Sequence, residues 1–179
     1  QPHERLQHLF ADGARSQVTC ATRLSRRQAL QGIAVCVMGL SPIAAISAPV
    51  TLPSTESLAA SLDQALRVKQ PLLVMVSLQG CAFCKVVREN YLQPLRASGL
   101  QVVQIDMRDN RALVDFDGTA LTHDAWVRKQ GIKLAPTVLF FGPQGREVAA
   151  RLKGAYLPDF YGAYLDEQLA VARRVVVGA

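Results

Sequence analysis

The chain has 179 residues, half of them hydrophobic, and 20 Lys and Arg against 14 Asp and Glu give a net charge of +6. The basic residues are scattered, with no run of Lys and Arg interleaved with aromatics, so composition argues against a nucleic-acid-binding surface. There are no internal repeats and no low-complexity tracts, and the length past the leader described next suits one domain with a single core.

In Arg23-Leu-Ser-Arg-Arg-Gln-Ala-Leu30 a pair of arginines stands directly before an apolar stretch, Ala29 to Ala48, that ends in small residues. This is the order of an export signal. Ser25-Arg26-Arg27 followed by Leu30 resembles the twin-arginine motif, although Ala29 stands where that motif carries a bulky apolar residue, so the ordinary secretory route stays open. Cleavage after Ser47 or Ala48 would remove residues 1–48, and with them Cys20 and Cys36. A retained membrane anchor is the alternative, since the stretch has the ~20 residues a span needs. The remaining domain, 49–179, holds 15 basic and 12 acidic residues and only two cysteines, Cys81 and Cys84.

Ser54 or Thr55 is expected to cap a helix from Glu56 to about Lys69, with Leu58, Leu62, Ala65 and Leu66 on its apolar face. Residues 71–78, Pro-Leu-Leu-Val-Met-Val-Ser-Leu, read as a strand buried on both faces, and Gln79-Gly80 breaks it. Helical spacing of apolar residues begins at Cys81, so Gly80-Cys-Ala-Phe-Cys-Lys85 sets two cysteines on the first turn of a helix. Free backbone N–H groups and the positive end of the helix dipole favour a thiolate there, and Lys85 and Arg88 add positive charge. A thiolate at the helix tip attacks a disulfide, and a second thiol one turn later resolves the mixed disulfide. Cys81 is thus the expected nucleophile and Cys84 the resolving thiol.

Further along, Pro94 should bend or interrupt this helix and Gly99 should end it. Residues 100–106 read as a second strand, Ala125 to Gln130 as a short helix capped by Thr122, and Gly131 as its stop. Thr137 to Phe141, the turn Gly142-Pro-Gln-Gly145, and Glu147 to Leu152 read as a hairpin. Pro158 opens a last helix expected to turn Phe160, Tyr164, Leu165 and Leu169 inward. Trp126, Phe140 and Phe141 read as core. This alternation implies an α/β sheet covered on both faces.

The order strand, CxxC helix, strand, helix, Ala135-Pro136-Thr137, hairpin, Gly154, helix resembles the thioredoxin fold over residues 54–174. That resemblance implies a central mixed sheet with helices on both faces and the CxxC at a helix N-terminus. It also implies that Ala135, Pro136 and Thr137 form a cis-proline loop that lies against Cys81 and Cys84 and binds extended substrate. A finer series, Val114-Asp-Phe-Asp-Gly118, Trp126 to Ile132, Ala135 to Phe141, Gly145-Arg-Glu-Val148, Arg151 and Gly154, is similar to the exported thioredoxin-like proteins of bacterial sulfur-oxidation systems.

What this implies is a periplasmic thiol–disulfide oxidoreductase without cofactor or metal, whose redox-active disulfide and catalytic pair is Cys81 and Cys84. It would reduce a partner protein bearing a disulfide or reactive cysteine, and would be recharged by a membrane thiol electron carrier. The competing readings are a disulfide oxidant or isomerase, and a metal-binding or adaptor domain; Cys81, Cys84 and His123 supply three soft ligands where structural zinc takes four. Two departures from cytoplasmic thioredoxin stand out. Gly80 and Ala82-Phe83 replace the usual Trp and Gly-Pro, and Met75 stands six residues before Cys81, in place of a buried Asp that moves protons for the resolving thiol. Asp115 and Asp117 read as turn residues, with a place near the active face, beside His123, as the other reading.

Overall fold

The structure, a computed structural model, describes residues 51–155 and 158–179. The expected leader and export signal, residues 1–48, lie outside the described residues. Among those described, no helix is long and apolar enough to cross a membrane.

The first strand, β1 (Leu72–Ser77), is buried along its whole length and lies at the centre of a mixed sheet. It pairs in parallel with β2 (Val102–Asp106) and antiparallel with β5 (Thr137–Gly142), whose other edge carries two short strands, β6 (Arg146–Glu147) and β7 (Leu152–Lys153). Because side chains alternate along a strand, β1 feeds two cores. Leu73 and Met75 face α2 (Ala82–Val87), α3 (Gln93–Ala97) and α5 (Pro158–Val177), packing with Cys84, Val87, Leu92, Phe140, Tyr161 and Leu165. Leu72, Val74 and Val76 face α1 (Leu58–Arg67) and α4 (His123–Lys129), packing with Leu58, Leu62, Trp126 and Phe141. The sheet is therefore covered on both faces, as expected.

Several boundaries differ from the sequence reading for local reasons. Ser57, not Ser54 or Thr55, caps α1, its Oγ accepting the Ala60 N–H at 3.2 Å. Thr55 instead braces the cap, bonding Ser57 and Ser61 through its hydroxyl. Thr122 caps α4 as expected, accepting from Ala125. The interruption expected near Pro94 takes the form of a π-helical turn, Arg88–Leu92, in which the Gln93 N–H reaches back five residues to Arg88. The wider turn makes room for a proline that has no N–H of its own. Residues 107–122, expected as connection, contain a small separate hairpin of β3 (Ala112–Val114) and β4 (Ala120–Thr122).

The final helix corrects one expectation. Phe160 and Tyr164 are exposed, at 58% and 50%. Leu165 and Leu169 face inward as expected, and with Tyr161, Ala172 and Val176 they form a spacing of four, four, three and four that keeps one helical stripe on the sheet.

Candidate active site

Cys81 stands immediately before α2 with extended backbone, as its N-cap, and Cys84 falls one turn later on the face turned to the sheet. The two are joined as a disulfide with their Cα atoms 5.2 Å apart. Their surroundings are unequal. Cys84 is fully buried beside Val87, Leu92, Met75 and Phe140, whereas Cys81 is partly exposed at the helix tip. The Cys81 Sγ accepts the Cys84 backbone N–H at 3.1 Å, a bond that would also favour a thiolate after reduction. Gly80, at φ 76°, makes the sharp exit from β1 that a residue with a Cβ rarely adopts.

The second wall of the site comes from the loop before β5. The Ala135–Pro136 peptide is cis, and the Ala135 carbonyl oxygen lies 3.9 Å from the Cys81 Sγ. Pro136 and Thr137 are buried, the Thr137 hydroxyl donating to the Leu134 carbonyl, and the Pro136 carbonyl accepts the Gly154 N–H at 2.7 Å. The structure thus brings all five expected site residues, Cys81, Cys84, Ala135, Pro136 and Thr137, to one end of the sheet. Phe83 and Leu134, 61% and 38% exposed, flank them as apolar surface.

On another side of Cys81 opens a cleft of about 1000 Å³ that sequence reasoning did not foresee. Its lining includes Cys81, Lys85, Arg88, Glu89 and Arg108, with the polar ends of β1 and β2 supplying Ser77, Gln104 and Asp106. Arg88, expected only as nearby charge, donates from Nε to Gln104 Oε1 at 2.8 Å and from Nη2 to Ser77 Oγ at 2.9 Å. The available signal was its position seven residues past Cys81, two helical turns along the same side. Arg111 pairs with both Asp106 and Asp109. Burial opposes its charge, but hydrogen bonds to Asp106 and Asp109 outweigh that and raise its pKa. The Arg111 backbone N–H leads the groups that hold the Asp109 carboxyl below its ordinary value.

The other candidate residues do structural work away from the sulfurs. His123 is buried, its Nδ1 accepting the Asp106 N–H at 3.1 Å and its Nε2 facing the Thr55 carbonyl at 3.2 Å, which suits the tautomer protonated on Nε2. Asp115 is buried too, and accepts the Trp126 indole N–H at 3.0 Å and the Lys129 ammonium at 2.6 Å. Asp117 is exposed and turns the β3–β4 hairpin by accepting the Thr119 N–H, the bond that contributes most to lowering its pKa. Among the described residues, no group of three His, Cys, Asp or Glu side chains could hold a metal ion.

A mixed sheet between two helical layers, with a cysteine pair at a helix start opposite a cis-proline, defines the thioredoxin-like class. The thioredoxin-like domain family matches residues 58–169, more than half of the chain, and the protein belongs to that family. No curated protein matches the sequence. Similar solved structures include a poplar thioredoxin h, 23% identical, covering 60% of this chain and 85% of that one at a TM-score of 0.41. Another is thioredoxin f2 of Chlamydomonas reinhardtii, 13% identical, covering 66% and 97% at 0.45. The periplasmic thioredoxin SoxS of Paracoccus pantotrophus, in its reduced form, is 21% identical, covering 57% and 99% at 0.38.

Proposed function

We propose that the protein is an exported thiol–disulfide oxidoreductase that reduces disulfides on partner proteins. The observation that carries this reading is the unequal pair: a partly exposed Cys81 bonded to a fully buried Cys84. In the reduced protein the Cys81 thiolate attacks one sulfur of the substrate disulfide, forming a mixed disulfide and releasing the other as a thiolate. Cys84, losing its proton, then attacks the Cys81 sulfur and expels the second thiolate. Two electrons pass to the substrate and the 81–84 disulfide remains. Ala135, Pro136 and Thr137 would hold the substrate backbone beside Cys81.

Residues 1–48 would be the leader and 49–179 the working domain, placed in the periplasm and recharged by a membrane thiol electron carrier. The series from Val114 to Gly154 supports a place beside the thioredoxin-like reductants of bacterial sulfur oxidation. One observation favours a disulfide oxidant instead: the Cys84 N–H bonds the Cys81 sulfur, and Lys85 and Arg88 line the cleft beside Cys81, where positive charge would stabilise a thiolate and so the reduced form. We weight reduction more, because the Ala135-Pro136 and Val114-to-Gly118 matches to the exported reductants are jointly specific, and the exposed Lys85 charge is screened by salt.

Insulin reduction tests the exchange. Cys81→Ser should abolish turnover, and Cys84→Ser should accumulate mixed disulfides. Faster labelling of Cys84 than of Cys81 by iodoacetamide at mildly acidic pH would reverse the assigned roles. Alkylation of acid-quenched cells tests the direction: the pool should be mostly dithiol, and become disulfide when the membrane carrier is deleted.

A further inference from the structure

The cleft beside Cys81 holds cations of two kinds. Arg111 is committed to Asp106 and Asp109. Lys85, Arg88 and Arg108 line the same space, and among the described residues none of the three is ion-paired. With Glu89 counted, four cations face three carboxylates across the cleft.

Arg88 is the most constrained of these. Two of its N–H groups are spent on neutral acceptors, Ser77 Oγ and Gln104 Oε1, and Gln104 is itself fixed by a 2.7 Å bond to Asp106. Ser77 is buried. A guanidinium has five donors in a rigid fork, so these bonds hold its plane in place and leave three donors and a full positive charge without an anion. A half-buried cation fixed in this way, on the wall of a cleft that Cys81 also lines, is preorganised for an anionic partner.

We propose that this cleft receives an anionic group, a carboxylate or similar oxyanion, attached close to the substrate disulfide, so that the site prefers acidic disulfides. This rests on the thiol–disulfide exchange proposed above. The bonds made and broken are those already described, with the substrate disulfide as the two-electron oxidant of the Cys81–Cys84 dithiol. The charge enters through the substrate's approach and the placement of its leaving thiolate. The same carboxylate chemistry is offered by a small organic disulfide acid and by acidic side chains flanking a protein disulfide.

The test uses the reduced full chain and three small disulfides of similar size: the dianion 3,3′-dithiodipropionate, the neutral 2-hydroxyethyl disulfide and the dication cystamine. Each oxidation rate is divided by that of 2-mercaptoethanol with the same reagent, which removes intrinsic reactivity. At low ionic strength the dianion should be favoured over the dication by about tenfold, and the preference should fall to roughly twofold in 0.5 M salt. Arg88→Gln, Lys85→Gln and Arg108→Asn should each lower the ratio, and Arg174→Gln, outside the cleft, should not. Asn suits position 108, where φ is 60°. Because Arg88 also ties β1 to β2, the substitutions at 85 and 108 carry the test if Arg88→Gln weakens folding. A corrected ratio near one, or a ratio that none of the three changes, overturns the proposal. If the neutral reagent still oxidises the dithiol, exchange itself stands; if none of the reagents does, both readings fall. Two short disulfide peptides, flanked by Glu or by Lys, identify the source: a protein substrate predicts a larger Glu-over-Lys ratio than the small reagents show.

Discussion

Replacing Asp115 by alanine should cost the domain about 1–4 kcal/mol. Asp115 is buried at the end of β3, and its Oδ1 accepts both the Trp126 indole N–H at 3.0 Å and the Phe116 backbone N–H at 2.8 Å. Trp126 is fully buried, so in the alanine variant water cannot replace the carboxylate at its N–H. A buried donor left without a partner costs about 1–3 kcal/mol, and the half-buried Phe116 N–H adds up to about 1 kcal/mol. The Lys129 ammonium is half exposed and screened, so its loss adds little. Asp115→Asn keeps an acceptor at Oδ1 and should cost much less than alanine. Urea unfolding of the oxidised proteins gives both values. A cycle with Trp126→Phe should return a coupling of about 1–2 kcal/mol. If Asp115→Ala costs under about 1 kcal/mol, or no more than Asn, the indole bond does not hold this hairpin to α4.

Tyr161 presents the opposite case, since its hydroxyl is buried with no hydrogen-bond partner among the described residues, and Tyr161→Phe should stabilise the domain by about 1 kcal/mol. Burial, with a smaller contribution from Tyr91, holds the Tyr161 phenol well above its ordinary pKa. The unfolded chain therefore loses this proton first, and stability present below about pH 10 falls as pH rises past it, by up to about 1.4 kcal/mol per pH unit. Urea midpoints at pH 9 and 11 should show a shallower decline for Tyr161→Phe, and identical declines would exclude the effect. Gly145→Ala should destabilise by about 2 kcal/mol or more, because φ is 67° and the new Cβ would lie 2.5 Å from Phe116; an unchanged urea midpoint would count against that packing. Met75→Asp should lower stability by about 3 kcal/mol or more, since Met75 is fully buried, while giving the Cys84 thiol a nearby base. Stopped-flow release of the mixed disulfide should then lose its dependence on hydroxide near neutral pH, and an unchanged pH–rate profile would refute that role.

The sheet and the cysteine pair were legible because each rests on a local pattern. A mostly apolar run between a proline and a glycine, Leu72 to Leu78 broken only by Ser77, dictates a buried strand wherever the chain goes next, and CxxC at the change from strand to helix period fixes the cysteines on the first turn. The phase of α5 was legible only in part: Leu165 and Leu169 are buried as expected, whereas Phe160 and Tyr164 are exposed. Phe160 and Tyr164 are as apolar as Tyr161 and Leu165, and only the sheet beneath decides which stripe is buried. The β3–β4 hairpin was missed because its strands are three residues each and take their stability from long-range bonds, such as Val114 N–H to the Glu56 carbonyl. The cleft was hidden for a related reason: Ser77, Arg88, Gln104 and Arg111 lie on four separate stretches of chain, and pairing of β1 with β2 brings them together.

The difference between the two sulfurs follows from helix phase. A residue at the cap position projects its side chain beyond the first turn, where the Cys84 N–H reaches it and the residue stays partly exposed, and a residue three positions later is carried round to the inward stripe with Val87. One turn of helix is thus enough to give one sulfur access and the other burial. Under the function proposed above, the same geometry would separate the two sides from which a substrate is read. On the side of Ala135 the groups next to Cys81 are backbone, with Phe83 and Leu134 as apolar flanks. On the side of Arg88 they are fixed charges that weaken with salt. Under the function proposed above, selectivity among disulfides by charge would come from the Arg88 side, because the Ala135 side offers only backbone and apolar surface.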